Sequence, residues 1–338
     1  MSELARRFGA VTQKRQSTVS TGVSVPVLLL LAAIAVFLIV GSLVSSIFAQ
    51  QTVAGLAQGA IFGSLALALV LIYRATGIIN FAQGEMGMFT TFIAWSLINN
   101  HGFTYWEAFA TTLLIAFVGG VALQRVIIRP VERAPVLTVV MITIGLLVVL
   151  NGLAGWIWGP EVRAFPSPFP AKPIRVGGVA FSQQDLGTLA VCLAGVVGMW
   201  AFFRFTKIGL GIRSASVGPE TSRLLGVRVS WMFALGWGLA AVLSAVSGMM
   251  AAPSVFLDPS MMQSILIYAF AAAVLGGVDS PLGAVIGGLS LGVGLNLIDT
   301  YVNVITPELT LPVALGVLLT VLVFRPTGLF GERLVRRV

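Results

Sequence analysis

Apolar runs of about twenty residues follow one another along almost the whole chain. A run of that length is what a helix needs to cross the roughly 30 Å hydrocarbon core of a bilayer. Ten can be read, near 25–48, 53–73, 82–99, 107–128, 135–158, 185–204, 230–252, 261–277, 281–298 and 309–324. Composition excludes a soluble alternative. Of 338 residues, 57% are apolar and 9% charged, against roughly 25% charged in a typical soluble domain. The mean hydropathy is +1.00. The expected fold class is an all-α polytopic membrane protein with about ten transmembrane or partly re-entrant helices. The short late runs are the candidates for broken helices, so eight or nine full crossings also fit.

Charge distribution orients the spans, because basic residues concentrate on the cytoplasmic side. With the N-terminus inside, the internal segments hold Arg6, Arg7, Lys14 and Arg15, then Arg74, then Arg125, Arg129 and Arg133. They continue with Arg204, Lys207, Arg213, Arg223 and Arg228, and end with Arg325, Arg333, Arg336 and Arg337. That is 17 of 20 basic residues, leaving only Arg163, Lys172 and Arg175 outside. The expectation is N-in and C-in with an even number of crossings. The first run resembles a signal peptide, with basic residues before it and Ser45, Ser46 and Ala49 near its end. Its 24 residues exceed a signal core of about 7–15, which favours a retained helix.

Most catalytic chemistry lacks its residues. Cys192 is the only cysteine and His101 the only histidine, so neither an intrachain disulfide nor a multi-histidine zinc site can form. No metal site and no catalytic residue is expected. A phosphate-binding loop needs Gly-Lys-Ser/Thr, yet Lys14, Lys172 and Lys207 follow Gln13, Ala171 and Thr206. Ser247-Gly248 would need a base to act as a nucleophile, and His101 stands far away in the chain. The net charge of +8 comes from basic residues spread between apolar runs, which topology explains better than nucleic acid binding.

Four features carry information. The segment 159–184 holds Pro160, Pro166, Pro168, Pro170 and Pro173 and reads as a non-helical external loop with a short hairpin at Ile174–Phe181. The segment 205–229 is the largest internal loop. Within it Pro219 and Glu220 start a short amphipathic helix and Gly226 stops it. Gly55, Gly59 and Gly63 repeat at four-residue spacing, as do Gly283 with Gly287 and Gly288 with Gly292, a pattern that lets helix backbones approach closely. Finally, Asn80, Gln83 and Glu85 cluster with Gly77, Gly84 and Gly87 at the start of the third span. Polar, glycine-rich backbone at membrane depth suggests a broken or re-entrant helix start. Glu85 can cap a helix N-terminus, line a translocation path, or rest in the headgroup region. Transporters driven by protons or sodium normally carry several intramembrane acids. Here there is essentially one.

Five ordered blocks of this sequence resemble bacterial branched-chain amino acid ABC importer permeases of the LivH type, in the LivH/LivM permease family. They are GAIFGSLALALVLIYRATGIINFAQGEMGMF (Gly59–Phe89), ALQRVIIRPVERAPVLTVVMITIGL (Ala122–Leu146), GIRSASVGPETSRLLGVRV (Gly211–Val229), AVLGGVDSPLGAVIGG (Ala273–Gly288) and FRPTGLFG (Phe324–Gly331). The resemblance covers most of the chain. It implies an ABC importer permease domain over 51–332, preceded by a cytoplasmic tail at 1–24 and an extra transmembrane helix at 25–50, and followed by a cytoplasmic tail at 333–338.

The resemblance further implies a subunit of the inner membrane with no cofactor and no ATPase site of its own. Two ABC ATPase subunits hydrolyse the ATP, a LivM-like second permease or a second copy completes the pore, and a periplasmic solute-binding protein delivers substrate. The loop 205–229 corresponds to the coupling loop, with Arg213, Gly218, Glu220, Arg223, Leu224 and Gly226 as the contacts carried over. Asn80, Gln83, Gly84, Glu85 and Gly87 form a translocation-path or helix-break motif, and Gly55, Gly59 and Gly63 a helix-packing face. The implied cargo is branched-chain or other aliphatic amino acids. Urea or short amides, and a stand-alone secondary transporter, are the alternatives.

Overall fold

Long apolar helices with their own hydrogen bonds are what this composition can form in lipid. The computed structural model describes residues 36–41, 45–132, 134–170, 172–176, 179–302, 309–325 and 327–331. Most of the expected first span and both expected tails lie outside these residues, and residues 36–41 are helical. The elements are α1 (Ser46–Thr76), α2 (Gln83–His101), α3 (Tyr105–Leu123), α4 (Val136–Trp158), β1 (Ile174–Val176), β2 (Val179–Phe181) and α5 (Gln183–Phe205). They continue with α6 (Lys207–Val217), α7 (Pro219–Leu224), α8 (Val229–Val255), α9 (Met261–Gly276), α10 (Pro281–Tyr301) and α11 (Thr310–Phe324). Among the described residues, 6 helices are long and apolar enough to cross a membrane: α1, α3 with the turns that extend it, α4, α5, α8 and α10. The chain is an integral membrane protein. Helices α9 and α11 are apolar but shorter, at 16 and 15 residues.

Helix α1 is the axis of the bundle, with 83% of its most apolar window buried by protein, against 17% for α5. It starts at Ser46, earlier than the apolar run suggests, because the Ser45 hydroxyl accepts the Phe48 amide. It stops at Gly77, whose φ of 71° is the left-handed conformation glycine adopts freely. The small residues set the closest packing. A Cβ on Gly59 would lie 2.7 Å from the Gly288 carbonyl oxygen, and one on Gly55 2.7 Å from the Val293 Cα. Gly63 meets Val285 in the same way. Gly55, Gly59 and Gly63 with Gly288 and Gly292 therefore pack α1 against α10 within one chain, while Gly283 and Gly287 meet Gly276 and Ala272 of α9. Helices α2, α8 and α9 complete the buried centre, where Ala66, Ala68, Ala240, Ala245, Ala269 and Ala272 are all fully buried. Dense packing of small residues is how helices associate where apolar burial gives no net driving force.

At one end of the bundle, β1 and β2 pair antiparallel with Ile174 opposite Phe181. Arg163 and Leu257 exchange backbone hydrogen bonds of 2.9 Å. At the other end the chain closes on itself: the Leu329 and Phe330 amides donate to the Leu275 and Gly276 carbonyls. Two sequence blocks more than forty positions apart thus form one structure, with Gly277 and Gly328 both at positive φ where they touch.

The segment 205–229 is more ordered than a loop with one short helix. It holds two helices, α6 and α7. The Thr206 hydroxyl accepts the Gly209 amide and starts α6, and Gly209, Ile212 and Ala215 form its buried face. Sequence reading missed α6 because Gly209 and Gly211 lower helix propensity. Those glycines instead permit contact: a Cβ on Gly209 would sit 2.6 Å from Phe203 Cα.

Candidate functional site

Asn80, just before α2, and the short helix α7 face one another across a cavity. The chain leaves α1 at Gly77, runs non-helically through Asn80, and enters α2 at Gln83. The break is held by side chains. Asn80 Oδ1 accepts the Ala82 amide at 3.1 Å, and Asn80 Nδ2 donates to Gln83 Oε1 at 2.8 Å. Gln83 Nε2 donates to the Ala240 carbonyl at 3.0 Å and to Ser244 Oγ at 2.6 Å. Ala240 and Ser244 lie well inside the 27-residue α8, so α2 begins deep within the bundle. Both Asn80 and Gln83 are fully buried. A satisfied buried network of this kind fixes one geometry. Gln83→Leu breaks three of these bonds and is expected to cost about 2–3 kcal/mol, read as a lower melting temperature in detergent.

Gly84 and Gly87 are not part of the break. Both lie inside α2, where a Cβ on Gly87 would be 2.7 Å from the Ser244 carbonyl oxygen and one on Gly84 3.2 Å from Leu266 Cβ. They serve packing of α2 on α8 and α9. Glu85 occupies the first turn of α2, where the helix dipole favours a carboxylate. It is 1% exposed, which does not fit a headgroup position. Its Oε2 has no hydrogen-bond partner. In α4, Asn151 Nδ2 donates to the Pro259 carbonyl at 2.6 Å and ties α4 to the turn after α8.

Helix α7 starts with Pro219 at its first turn, Glu220 beside its N-terminus and Arg223 in its last turn. Gly226 follows with φ 81°. Ser222 is the buried face of this helix. The opposite face is apolar and open: Leu224 is 89% exposed, Leu225 78%, and Val217, at the end of α6, 85%. Arg213, Glu220, Arg223 and Arg228 are exposed around them. Gly218 separates α6 from α7. Of the three exposed apolar residues, sequence reading singled out Leu224 and not Val217 or Leu225. The available signal was two adjacent leucines outside any apolar run.

Between α7 and the break lies a cavity of about 340 Å³, with Asn80 on one wall and Glu220 and Arg223 on another. Among the described residues no group of three or more His, Cys, Asp or Glu could hold a metal ion. Cys192 is buried and free. His101 sits exposed at the end of α2, and the Ser247 hydroxyl donates to the Leu243 carbonyl within α8.

The arrangement offers a broken polar helix start in the core and a short helix pair with exposed apolar residues at one end. BraD of Pseudomonas aeruginosa, a high-affinity branched-chain amino acid transport system permease protein, is 30% identical over 312 residues, covering 86% of this chain and 98% of BraD. The LivH proteins of Salmonella typhimurium and Escherichia coli, described in the same terms, are 28% and 27% identical over 304 residues. Among solved structures, PsaBC from Streptococcus pneumoniae in complex with Fab overlaps with a TM-score of 0.44 at 13% identity, too low to carry a conclusion. The family described as branched-chain amino acid transport system / permease component matches residues 51–322, and the chain belongs to that family.

Proposed function

We propose that this chain is the transmembrane subunit of an ATP-driven importer that moves branched-chain or other aliphatic amino acids inward across a bacterial inner membrane. The observation that carries this reading is the solvent-exposed apolar tip Val217, Leu224 and Leu225 on a short helix pair outside the long spans. Three large apolar side chains in water are a docking feature, and basic residues frame them. In this reading α6 and α7 form the coupling element, and the tip inserts into a groove on the ATPase. The basic end of the bundle faces the cytoplasm, which gives N-in and C-in. The domain division is a tail at 1–24, an extra helix at 25–50, the permease domain at 51–332 and a tail at 333–338.

Two ATPase chains close on ATP and move both coupling elements. The permease pair, this chain with a LivM-like partner or a second copy, then exchanges between inward-open and outward-open states. The path runs between permeases. The external end, with β1–β2 and the Arg163–Leu257 pairing, receives the periplasmic binding protein, which selects the substrate. Few fixed charges are needed along a path for aliphatic amino acids, and Glu85 is the buried acid that stands beside it. Glu85→Gln keeps the shape and removes the charge. It is expected to leave complex yield unchanged and to lower reconstituted uptake several-fold; unchanged uptake would make Glu85 a packing group.

The reading as a whole is tested by purifying the tagged chain from native membranes in mild detergent and identifying what accompanies it by mass spectrometry. Recovery of ATPase chains with a second permease supports it. Absence of any ATPase, under conditions that preserve a known importer, would favour a stand-alone transporter.

A further inference from the structure

The cavity beneath α7 has a chemistry of its own. Its aliphatic wall comes from Ile72, Ile79, Ile128 and Val139. Its charged groups are Arg223, Glu220 and Glu132, and among the described residues no ion pair engages them. Two of its lining side chains are buried polar groups without partners. Gln124 is 1% exposed and its Oε1 accepts nothing, while Trp237 is 2% exposed and its indole Nε1 donates to nothing. A buried polar atom left unpaired is costly and calls for an explanation. Gln124 moreover opens a π-helical turn, Gln124–Ile128, a distortion often found at functional sites. At about 340 Å³ the space falls at the small end of ligand pockets.

These groups select a ligand class. An inorganic anion would face two carboxylates. A simple cation would face a guanidinium. A purely apolar molecule would leave the three charges and the two unpaired atoms unused. A small molecule with one carboxylate, one ammonium and an aliphatic side chain uses all of them.

We propose that this cavity binds a free aliphatic amino acid from the side of the membrane where α7 lies, and that its occupancy slows the ATP-driven cycle. The proposal rests on the transport reading above, because it concerns the coupling element assigned there. The occupant touches α7 through Glu220 and Arg223 and touches the bundle through α1, the π-helical turn Gln124–Ile128, α4 and α8. A ligand bridging both holds α7 in its present position and shifts the population towards that state, in proportion to its preference for it. Transported amino acid accumulating on this side would thereby brake its own uptake.

The test uses the complete complex in nanodiscs with saturating substrate-loaded binding protein. ATPase rate is followed as free L-leucine is raised, each variant being scaled to its own uninhibited rate. The wild type is expected to slow at least about threefold. Gln124→Leu, or Thr143→Val at another buried polar residue of the lining, is expected to need about tenfold more leucine. Leucinamide and 4-methylpentanoate, which each lack one charge, are expected to inhibit at least about tenfold more weakly. Equal inhibition of wild type and both variants, or equal potency of the analogues, would overturn the proposal, as would a rate indifferent to leucine. A second measurement needs no ATPase: L-leucine is expected to raise the melting temperature of the purified wild-type chain and not that of Gln124→Leu. Failure of binding-protein stimulation with the melting shift intact would count against the transport reading alone. Stimulation without any melting shift would count against the cavity alone.

Discussion

Replacing Leu224 and Leu225 together by Asp is expected to release the ATPases from this subunit. Both side chains are almost fully exposed in the chain, so the change leaves the fold of the permease intact. Burying a leucine contributes about 1.5–3 kcal/mol. Losing two such contacts, about 4 kcal/mol in sum, weakens association roughly a thousandfold. Co-purified ATPase measures the effect directly, and circular dichroism with an unchanged melting temperature separates it from unfolding. Apolar anchors at the centre of an interface outweigh the charged groups around them. Single replacements of Glu220 or Arg223 are accordingly expected to do much less than the leucine pair.

The second large effect lies in the core. Gly59→Leu places a Cβ 2.7 Å from both the Gly288 carbonyl oxygen and the Leu289 Cα. Those are backbone atoms of α10, and no rotamer change relieves them. Overpacking typically costs about 1–3 kcal/mol, and here the obstacle is an entire helix. The expected cost is about 3 kcal/mol or more, seen as a large loss of folded, monodisperse protein. Gly316→Ala in α11 is the matched control, since a Cβ there meets nothing within 4 Å. It is expected to express like the wild type.

Much of this was legible in the sequence for identifiable reasons. Apolar runs mark helices because lipid leaves the backbone few other ways to satisfy itself. The four-residue glycine spacing in α1 and α10 marked a packing face, although not the helix it would meet. Pro219 and Gly226 bracketed α7 because each acts through its own backbone geometry. The polar character of Asn80 and Gln83 was visible, but their partners were not: Gln83 bonds to Ala240 and Ser244, more than 150 positions away. Gly84 and Gly87 looked like part of the break because glycine interrupts helices in water, whereas here they admit α8 and α9. Helix α6 was hidden by its own glycines. Val217 and Leu225 were not singled out because exposure is a property of the folded chain, although Leu225 forms with Leu224 an apolar pair outside any apolar run.

If the α6–α7 tip docks the ATPase as proposed, a cross-linker placed there reaches an ATPase chain. Cys192 is the only cysteine of this chain and is fully buried, so a thiol introduced on its surface can be labelled in the purified chain before the complex is assembled. Leu224→Cys carrying a short photo-cross-linker, in the assembled complex, tests this docking most directly. Ser167→Cys, in an exposed turn of the segment between α4 and β1, serves as the opposite-end control. An adduct between an ATPase chain and Leu224→Cys is expected, and none from Ser167→Cys. An intact complex in which Leu224→Cys yields no ATPase adduct, or in which Ser167→Cys does, would contradict the proposed docking.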